Sequence, residues 1–160
     1  MPYYLQTGQN ADTRATLPFL LVGANVGDYI EFSGFATAGS TYPLVGISLS
    51  FNSLINMRGG DIRFRPDDRS NNDFASGYVQ PAYGEDFVVR IERIAAGQWE
   101  CFLNGQSLGV KTDALDFDFD QLFNFATNSG GGLEGGFYYA EMSDAGGPAT
   151  HRWDADAARS

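Results

Sequence analysis

The stretch FVVRIERIAAGQWECFLNGQSLGV, residues 87–110, gives the clearest structural signal in the sequence. It is rich in β-branched and aromatic residues, which favour strands, and in two runs its apolar residues fall at every second position. Because alternate residues of a strand point to the same face, each run predicts a strand with one buried face. The residues on these two buried faces are Phe87, Val89, Ile91, Trp99, Cys101 and Leu103.

Two glycine-containing turns separate these runs from each other and from a third. Ala95-Ala96-Gly97 predicts the first turn. Asn104-Gly105 is the stronger signal, because both central residues of a type I′ turn need a positive φ. Residues 106–110 then return along the second run, so the whole stretch predicts three antiparallel strands in a meander.

Shorter alternating stretches on both sides extend the β pattern. We interpret residues 66–78 as a long polar loop and allow one helical turn within 120–125. About ten short strands with turns between them indicate two packed sheets or a barrel. We therefore expect one all-β domain over residues 1–160. The flanking strands are predicted within residues 28–35, 45–51, 61–65, 115–120 and 137–142.

Composition supports a globular β domain and excludes several kinds of partner. The 13 Phe and 8 Tyr favour strands, and the 20 Gly favour turns. A formal net charge of −10 repels phosphate groups, so we expect no nucleic-acid partner and no anionic membrane surface. The N-terminus lacks the basic-then-apolar layout of a signal peptide, which predicts synthesis in the cytoplasm without an export signal.

One part of the sequence resembles a known family. Residues 88–93 followed by 99–105, a strand that carries arginine and then a hairpin with Asn104-Gly105 at its tip, are similar to the laminin G-like, concanavalin A-like superfamily. The resemblance covers roughly residues 28–144 and implies a two-sheet antiparallel jelly-roll β-sandwich. The closing segment His151-Arg152-Trp153-Asp154 is similar to versions of this domain in bacteriophage structural proteins.

The residue types that carry catalysis are few, and we expect no enzyme. His151, the single histidine, lies in a tail rich in Gly, Ala and Pro, so packing or a hydrogen bond is its expected role. Cys101 shares a strand face with Trp99, which predicts a buried structural thiol. Glucanases that share the fold carry a Glu-x-Asp-x-x-Glu pattern for a retaining mechanism, and the nearest approach here, residues 141–144, has the wrong spacing.

Calcium is the one cofactor left open. Asp116, Asp118 and Asp120 lie on one face of a predicted strand, at spacings of about 7 Å, so two of them could share an ion. A solvated acidic face is the alternative interpretation. The acidic stretch within residues 67–73 lacks the spacing of an EF-hand loop. The resemblance implies calcium binding for many family members but gives no ligand set here, so Asp116 and Asp118 are the candidate ligands.

Two hypotheses for function follow. The resemblance implies a virion structural protein, a capsid decoration or tail-associated protein on the virion surface, assembled in many copies or as a homo-oligomer. Residues 1–18 and those after Asp144 would then dock on neighbouring virion proteins or, alternatively, add edge strands to their own sheets. The second hypothesis is a carbohydrate-binding, lectin-like module for a cell-surface glycan, with Tyr78, Tyr83 and Tyr138 as sugar-stacking rings unless they pack in the core.

Overall fold

A computed structural model describes residues 5–7, 15–22, 25–38, 41–47, 50–58, 61–65, 72–74, 82, 84–112, 118–122, 134–143 and 150–155. These residues form an all-β structure, as predicted, and they contain no helix that is long and apolar enough to cross a membrane. The strands are β1 (Leu5–Thr7), β2 (Ala15–Val22), β3 (Tyr29–Ala38), β4 (Thr41–Ile47), β5 (Ser50–Arg58), β6 (Asp61–Arg65), β7 (Asn72–Phe74), β8 (Asp86–Ala95), β9 (Gln98–Leu103), β10 (Gln106–Thr112), β11 (Asp118–Leu122), β12 (Glu134–Ser143) and β13 (His151–Asp154).

The strands form two antiparallel sheets, which confirms the jelly-roll sandwich prediction. The seven-stranded sheet has the order β1-β12-β3-β8-β9-β10, with β13 also paired to β12. The six-stranded sheet has the order β2-β11-β4-β5-β6-β7. The two chain ends meet in one sheet, because β1 and β13 both pair with β12. The segments considered for docking on a neighbour therefore contribute strands to the chain's own sheets, as the alternative interpretation held.

The predicted meander is confirmed as strands β8, β9 and β10. At the hairpin tip Asn104 has a φ of 50° and Gly105 a φ of 78°, the two positive values that a type I′ turn needs. Asn104 also ties this tip to β8: its backbone N–H donates to the Val88 carbonyl at 2.8 Å, and its side-chain Oδ1 accepts from the Val88 N–H at 2.7 Å. The turn thus fixes the register of three strands together.

Three predictions made outside the meander are wrong in part. The alternating residues 45–51 belong to two strands, since β4 ends at Ile47, β5 begins at Ser50, and these two residues pair. Alternation records only the side on which a residue lies, so it continues through a tight reversal of the chain. The polar stretch 66–78 contains the short strand β7, paired with β6. Strand β11 continues to Leu122, where one helical turn was considered.

The core lies between the sheets. From the six-stranded sheet, β6 contributes Phe64, whose ring lies 5.0 Å, centroid to centroid, from that of Trp99 in β9. Both side chains are fully buried, and burial of such side chains stabilises the fold by about 1.5–3 kcal/mol each. Cys101 is buried as predicted, and desolvation raises the pKa of its thiol. The other fully buried apolar residues include Ile30, Phe32, Ile62, Val89, Ile91 and Ala140.

An irregularity in β12 shapes the opposite face of the seven-stranded sheet. The register of β12 against β3 shifts between Phe137 and Tyr139, which leaves Tyr138 as an extra residue. At this point the strands approach closely: a Cβ on Gly34 would lie 2.5 Å from the Gly136 carbonyl oxygen. Bulges of this kind redirect a side chain out of the regular alternation. Here the side chain that gains a new direction is that of Tyr138.

Candidate functional site

The solvent-facing side of the seven-stranded sheet, here called the outer face, carries most of the polar side chains that the structure describes. Its residues alternate along each strand with those that pack in the core. Many are only partly exposed, because they cover one another. The outer face includes Tyr29, Glu31, Phe35, Asp86, Arg90, Glu92, Glu100, Tyr138, Tyr139, Glu141, Arg152 and Asp154.

A row of four charged residues crosses the outer face from β13 to β8. Arg152, Glu141, Glu31 and Arg90 occupy directly opposed positions on four neighbouring strands, and we call them the arginine–glutamate row. Two glutamates opposite each other repel. The flanking guanidinium groups offset this repulsion, since Arg152 bonds to Glu141 and the Nη1 of Arg90 lies 3.7 Å from the Oε2 of Glu31.

Two tyrosines cross-connect the two glutamates. Tyr139 on β12 donates its hydroxyl to the Oε1 of Glu31 on β3 at 2.6 Å, and Tyr29 on β3 donates to the Oε1 of Glu141 on β12 at 3.2 Å. Burial, and then the nearby carboxylates, raise the pKa of both hydroxyls, so both remain donors at neutral pH. The bonds therefore hold β3 and β12 together through side chains as well as through the backbone ladder.

Both guanidinium groups of the row make several contacts on the outer face. Arg90 lies 3.6 Å above the ring of Tyr29, and its Nη2 is 2.8 Å from the Oε2 of Glu92. The Arg152 guanidinium lies 4.2 Å above the ring of Tyr139, and its Nη2 is 3.0 Å from the Oδ2 of Asp154. Each guanidinium thus contacts two carboxylates and one aromatic ring, an arrangement that fixes its position.

The two glutamates of the row have the same kinds of partner at different distances. Each accepts from one tyrosine hydroxyl, at 2.6 Å for Glu31 and 3.2 Å for Glu141. Each also faces one arginine: the nearest charged atoms are 3.7 Å apart for Glu31 and Arg90, and 2.5 Å apart for Glu141 and Arg152. Their side chains are only 17% and 12% exposed, so the tyrosines and arginines also cover them. Structurally, the arrangement stiffens the sheet.

A second group on the outer face has a different character. The bulged Tyr138 lies against Phe35, with ring centroids 5.7 Å apart and the planes tilted by 36°. Its hydroxyl reaches across β3 and donates to the Oδ1 of Asp86 on β8 at 2.8 Å. We call these three residues the Tyr138 cluster. Along β3 it lies two same-face positions from Glu31, about 14 Å at about 7 Å per position. It combines a half-buried ring with an exposed carboxylate.

The sequence-predicted site residues fall into two groups. Tyr138 lies on the outer face, whereas Tyr78, Tyr83 and Asp116 lie outside the described residues. Asp118 lies in β11, paired with Val22, and its side chain is outside the description. Among the described residues, no group of three or more His, Cys, Asp or Glu could hold a metal ion. Calcium bound by Asp116 and Asp118 therefore stays a prediction.

Other residues have clear positions. His151, for which packing or a hydrogen bond was expected, is an exposed residue of β13 opposite Met142.

The arginine–glutamate row was not predicted at all. Its members occupy the polar positions of strands, which the alternation shows, but their adjacency depends on the strand order β13-β12-β3-β8. Asp86 and Phe35 were missed for the same reason, since the bulge in β12 brings Tyr138 to them.

Comparisons with known proteins show the fold. The chain is similar to mouse laminin α1 chain domains LG4-5, with a TM-score of 0.58 and 15% identity over 96% of this chain and 48% of that chain. It is similar to an SAP-like pentraxin from Limulus polyphemus, with a TM-score of 0.55 and 9% identity over 88% of this chain and 73% of that one. A Caenorhabditis elegans galectin, LEC-6, aligns with a TM-score of 0.49 and 11% identity over 89% of this chain and 94% of that chain.

These similarities have a defined scope. No family model matches the sequence, and no curated protein matches it. The chain spans about half the length of the laminin chain that it matches. At identities of 9–15%, the matches to laminin and pentraxin show that the fold is the concanavalin A-like jelly roll. A shared fold does not assign a function, so function has to be argued from the outer face itself.

Proposed function

We propose that the chain is a carbohydrate-binding, lectin-like module that catalyses no reaction, and that it binds glycan at the Tyr138 cluster. The observation that carries the proposal is the pairing of the Tyr138 ring with the exposed Asp86 carboxylate on the outer face. An aromatic ring presents a flat apolar surface to the C–H face of a sugar. A carboxylate beside it accepts hydrogen bonds from the sugar's hydroxyl groups.

The surroundings of the cluster support this proposal. Tyr138 is held on both sides, by the Phe35 ring and by the hydrogen bond to Asp86, so little side-chain freedom is left to lose on binding. A preorganised ring binds more tightly than a mobile one for this reason. The arginine–glutamate row lies on the same face, toward β13. Its side chains link the neighbouring strands, including those that carry the cluster.

Two earlier expectations are kept as further proposals. No described feature favours assembly into a virion over glycan binding, so the virion surface location and virion partners remain a prediction. Tyr78 and Tyr83 remain candidate sugar-stacking rings, and Tyr83 stands three positions before Asp86 in the sequence. The described backbone next to it forms a turn, with the Glu85 N–H donating to the Ala82 carbonyl at 3.0 Å, directly before β8.

A glycan array followed by calorimetry tests the proposal. Wild-type protein is screened with and without calcium, and the best oligosaccharide is then titrated into wild type, Tyr138→Ala and Tyr138→Phe. Truncation of a central aromatic contact weakens binding by about tenfold or more. Tyr138→Ala should show that loss, whereas Tyr138→Phe should lose less, because it keeps the ring and only gives up the hydrogen bond to Asp86.

Val110→Ala is the matched control. Val110 is a 47% exposed apolar residue of β10, at the edge of the same sheet and away from the cluster. It should bind as tightly as the wild type. Circular dichroism confirms that each variant is folded. A silent array, or full affinity in folded Tyr138→Ala, contradicts the proposal. Binding that requires calcium would instead direct attention to Asp116 and Asp118.

A further inference from the structure

The charge of the outer face has one dominant sign. Among its described residues, six carboxylates stand against two guanidinium groups, so carboxylates outnumber cations by four. Lys111, by its register opposite Trp99, belongs to the other side of the sheet. A field of one sign over an open face attracts or repels a ligand before contact is made. The six carboxylates are those of Glu31, Asp86, Glu92, Glu100, Glu141 and Asp154.

The two arginines offset only part of this field, and each is paired with carboxylates of the same face. Arg90 contacts Glu92 and Glu31, and Arg152 contacts Glu141 and Asp154. A carboxylate or sulfate of an acidic sugar that approached either guanidinium would lie beside the two carboxylates that this guanidinium already contacts. Repulsion between these like charges disfavours recognition of an anion there.

The hydrogen-bonding character of the face points the same way. Ionised carboxylates only accept hydrogen bonds, so a face rich in them needs a ligand rich in donors. Asp86 is the exposed carboxylate that lies beside the Tyr138 ring. A sugar that stacks on this ring brings either its hydroxyl groups or its charged substituents close to Asp86. Hydroxyl groups donate to the carboxylate, whereas an anionic substituent is repelled by it.

We infer that the Tyr138 cluster accepts uncharged, hydroxyl-rich glycans and excludes acidic ones, and that Asp86 is the residue that sets this selectivity. The inference rests on the proposed function, since it names the chemical class of glycan taken at the same site. The ligand is a hexose oligomer whose hydroxyl groups donate to Asp86 while one ring face lies on Tyr138. Its uronic acid counterpart, which carries a carboxylate in place of the hydroxymethyl group, is the ligand that is rejected.

The experiment compares matched pairs of oligosaccharides by calorimetry. Oligomers of mannose and of mannuronate, and of glucose and of glucuronate, are titrated into the full chain at low salt and at about 1 M salt, where charges more than about 3 Å apart in solvent are screened. At low salt, the uronate of a recognised hexose should bind about tenfold or more weakly. The ratio of hexose affinity to uronate affinity should fall at high salt, because screening weakens the repulsion between the uronate and the carboxylates of the outer face.

Asp86→Asn tests the residue assignment. An asparagine keeps an oxygen that can accept from Tyr138 but removes the charge, so the ratio of hexose to uronate affinity should fall several-fold at low salt. Asp61→Asn is the matched control, because it removes one charge from β6 in the other sheet. It should leave the ratio unchanged. An equal fall of the ratio in both variants would overturn the assignment of selectivity to Asp86.

The outcomes separate this inference from the function on which it rests. Uronate binding as tight as hexose binding, with both lost in Tyr138→Ala, overturns the charge selectivity while the lectin function stands. An absence of binding to all four oligomers and to the glycan array contradicts the proposed function, and the inference falls with it. If Asp86→Asn weakens hexose binding and also lowers the ratio of hexose to uronate affinity, the result supports both the lectin function and the selectivity of Asp86.

Discussion

The two faces of the seven-stranded sheet are held by different forces. The inner face buries rings and aliphatic side chains, among them Trp99 and Phe87, at 0% and 1% exposure. The outer face holds ion pairs, tyrosine–glutamate hydrogen bonds and guanidinium groups over rings. Burial contributes most of the stability of a fold, whereas partly exposed ion pairs contribute about 0–1 kcal/mol. The inner face therefore contributes most of the stability, and the outer face is where we propose that glycan binds.

The largest expected effect is on the inner face. Trp99→Ala removes the ring that contacts Phe64 of the six-stranded sheet, so it opens a cavity between the sheets. Such substitutions cost about 3–5 kcal/mol. Arg152→Gln on the outer face should cost less, about 1–2 kcal/mol, because it leaves Glu141, whose side chain is 12% exposed, without its ion pair. Urea unfolding measures both, and similar losses in the two variants would contradict the division of roles between the faces.

A smaller effect on stability is expected at the turn between β9 and β10. Gly105 has a φ of 78°, with no atom within 4 Å of an added Cβ, so only backbone strain opposes a side chain there. Gly105→Val forces a β-branched residue into this conformation, at a cost of about 1–3 kcal/mol. Gly105→Asn should cost less, because asparagine tolerates a positive φ. Thermal unfolding compares the two, and an unchanged melting temperature in the valine variant would contradict the type I′ assignment.

The smallest effect concerns the outer face at alkaline pH. Burial, together with Glu141 and Glu31, raises the pKa of the Tyr29 and Tyr139 hydroxyls above the usual 10. In the unfolded chain they ionise near pH 10, so the folded state then binds more protons, and stability is lost as pH rises above 10. Absorbance at 295 nm should show these tyrosines ionising later in the folded protein than in urea. Simultaneous ionisation of all eight would contradict the described hydrogen bonds.

The two faces also differ in how far sequence predicts them. The buried positions of β8 and β9 follow from alternation alone, because a residue's side of the sheet depends only on its position along the strand. Alternation failed within 45–51, where it does not reveal that the chain reverses. The outer-face network joins residues from 29 to 154, and its contacts depend on strand order. Aromatic content singled out Tyr138, but only the bulge places it against Asp86.

The most direct test maps where a sugar binds. Two-dimensional NMR spectra of labelled protein are recorded during titration with the hexose oligomer that binds best. We expect the largest amide shifts on β3, β8 and β12, around Phe35, Asp86 and Tyr138, with little change in β4–β6. Largest shifts in the six-stranded sheet would contradict the claim that the outer face of the seven-stranded sheet is the recognition surface.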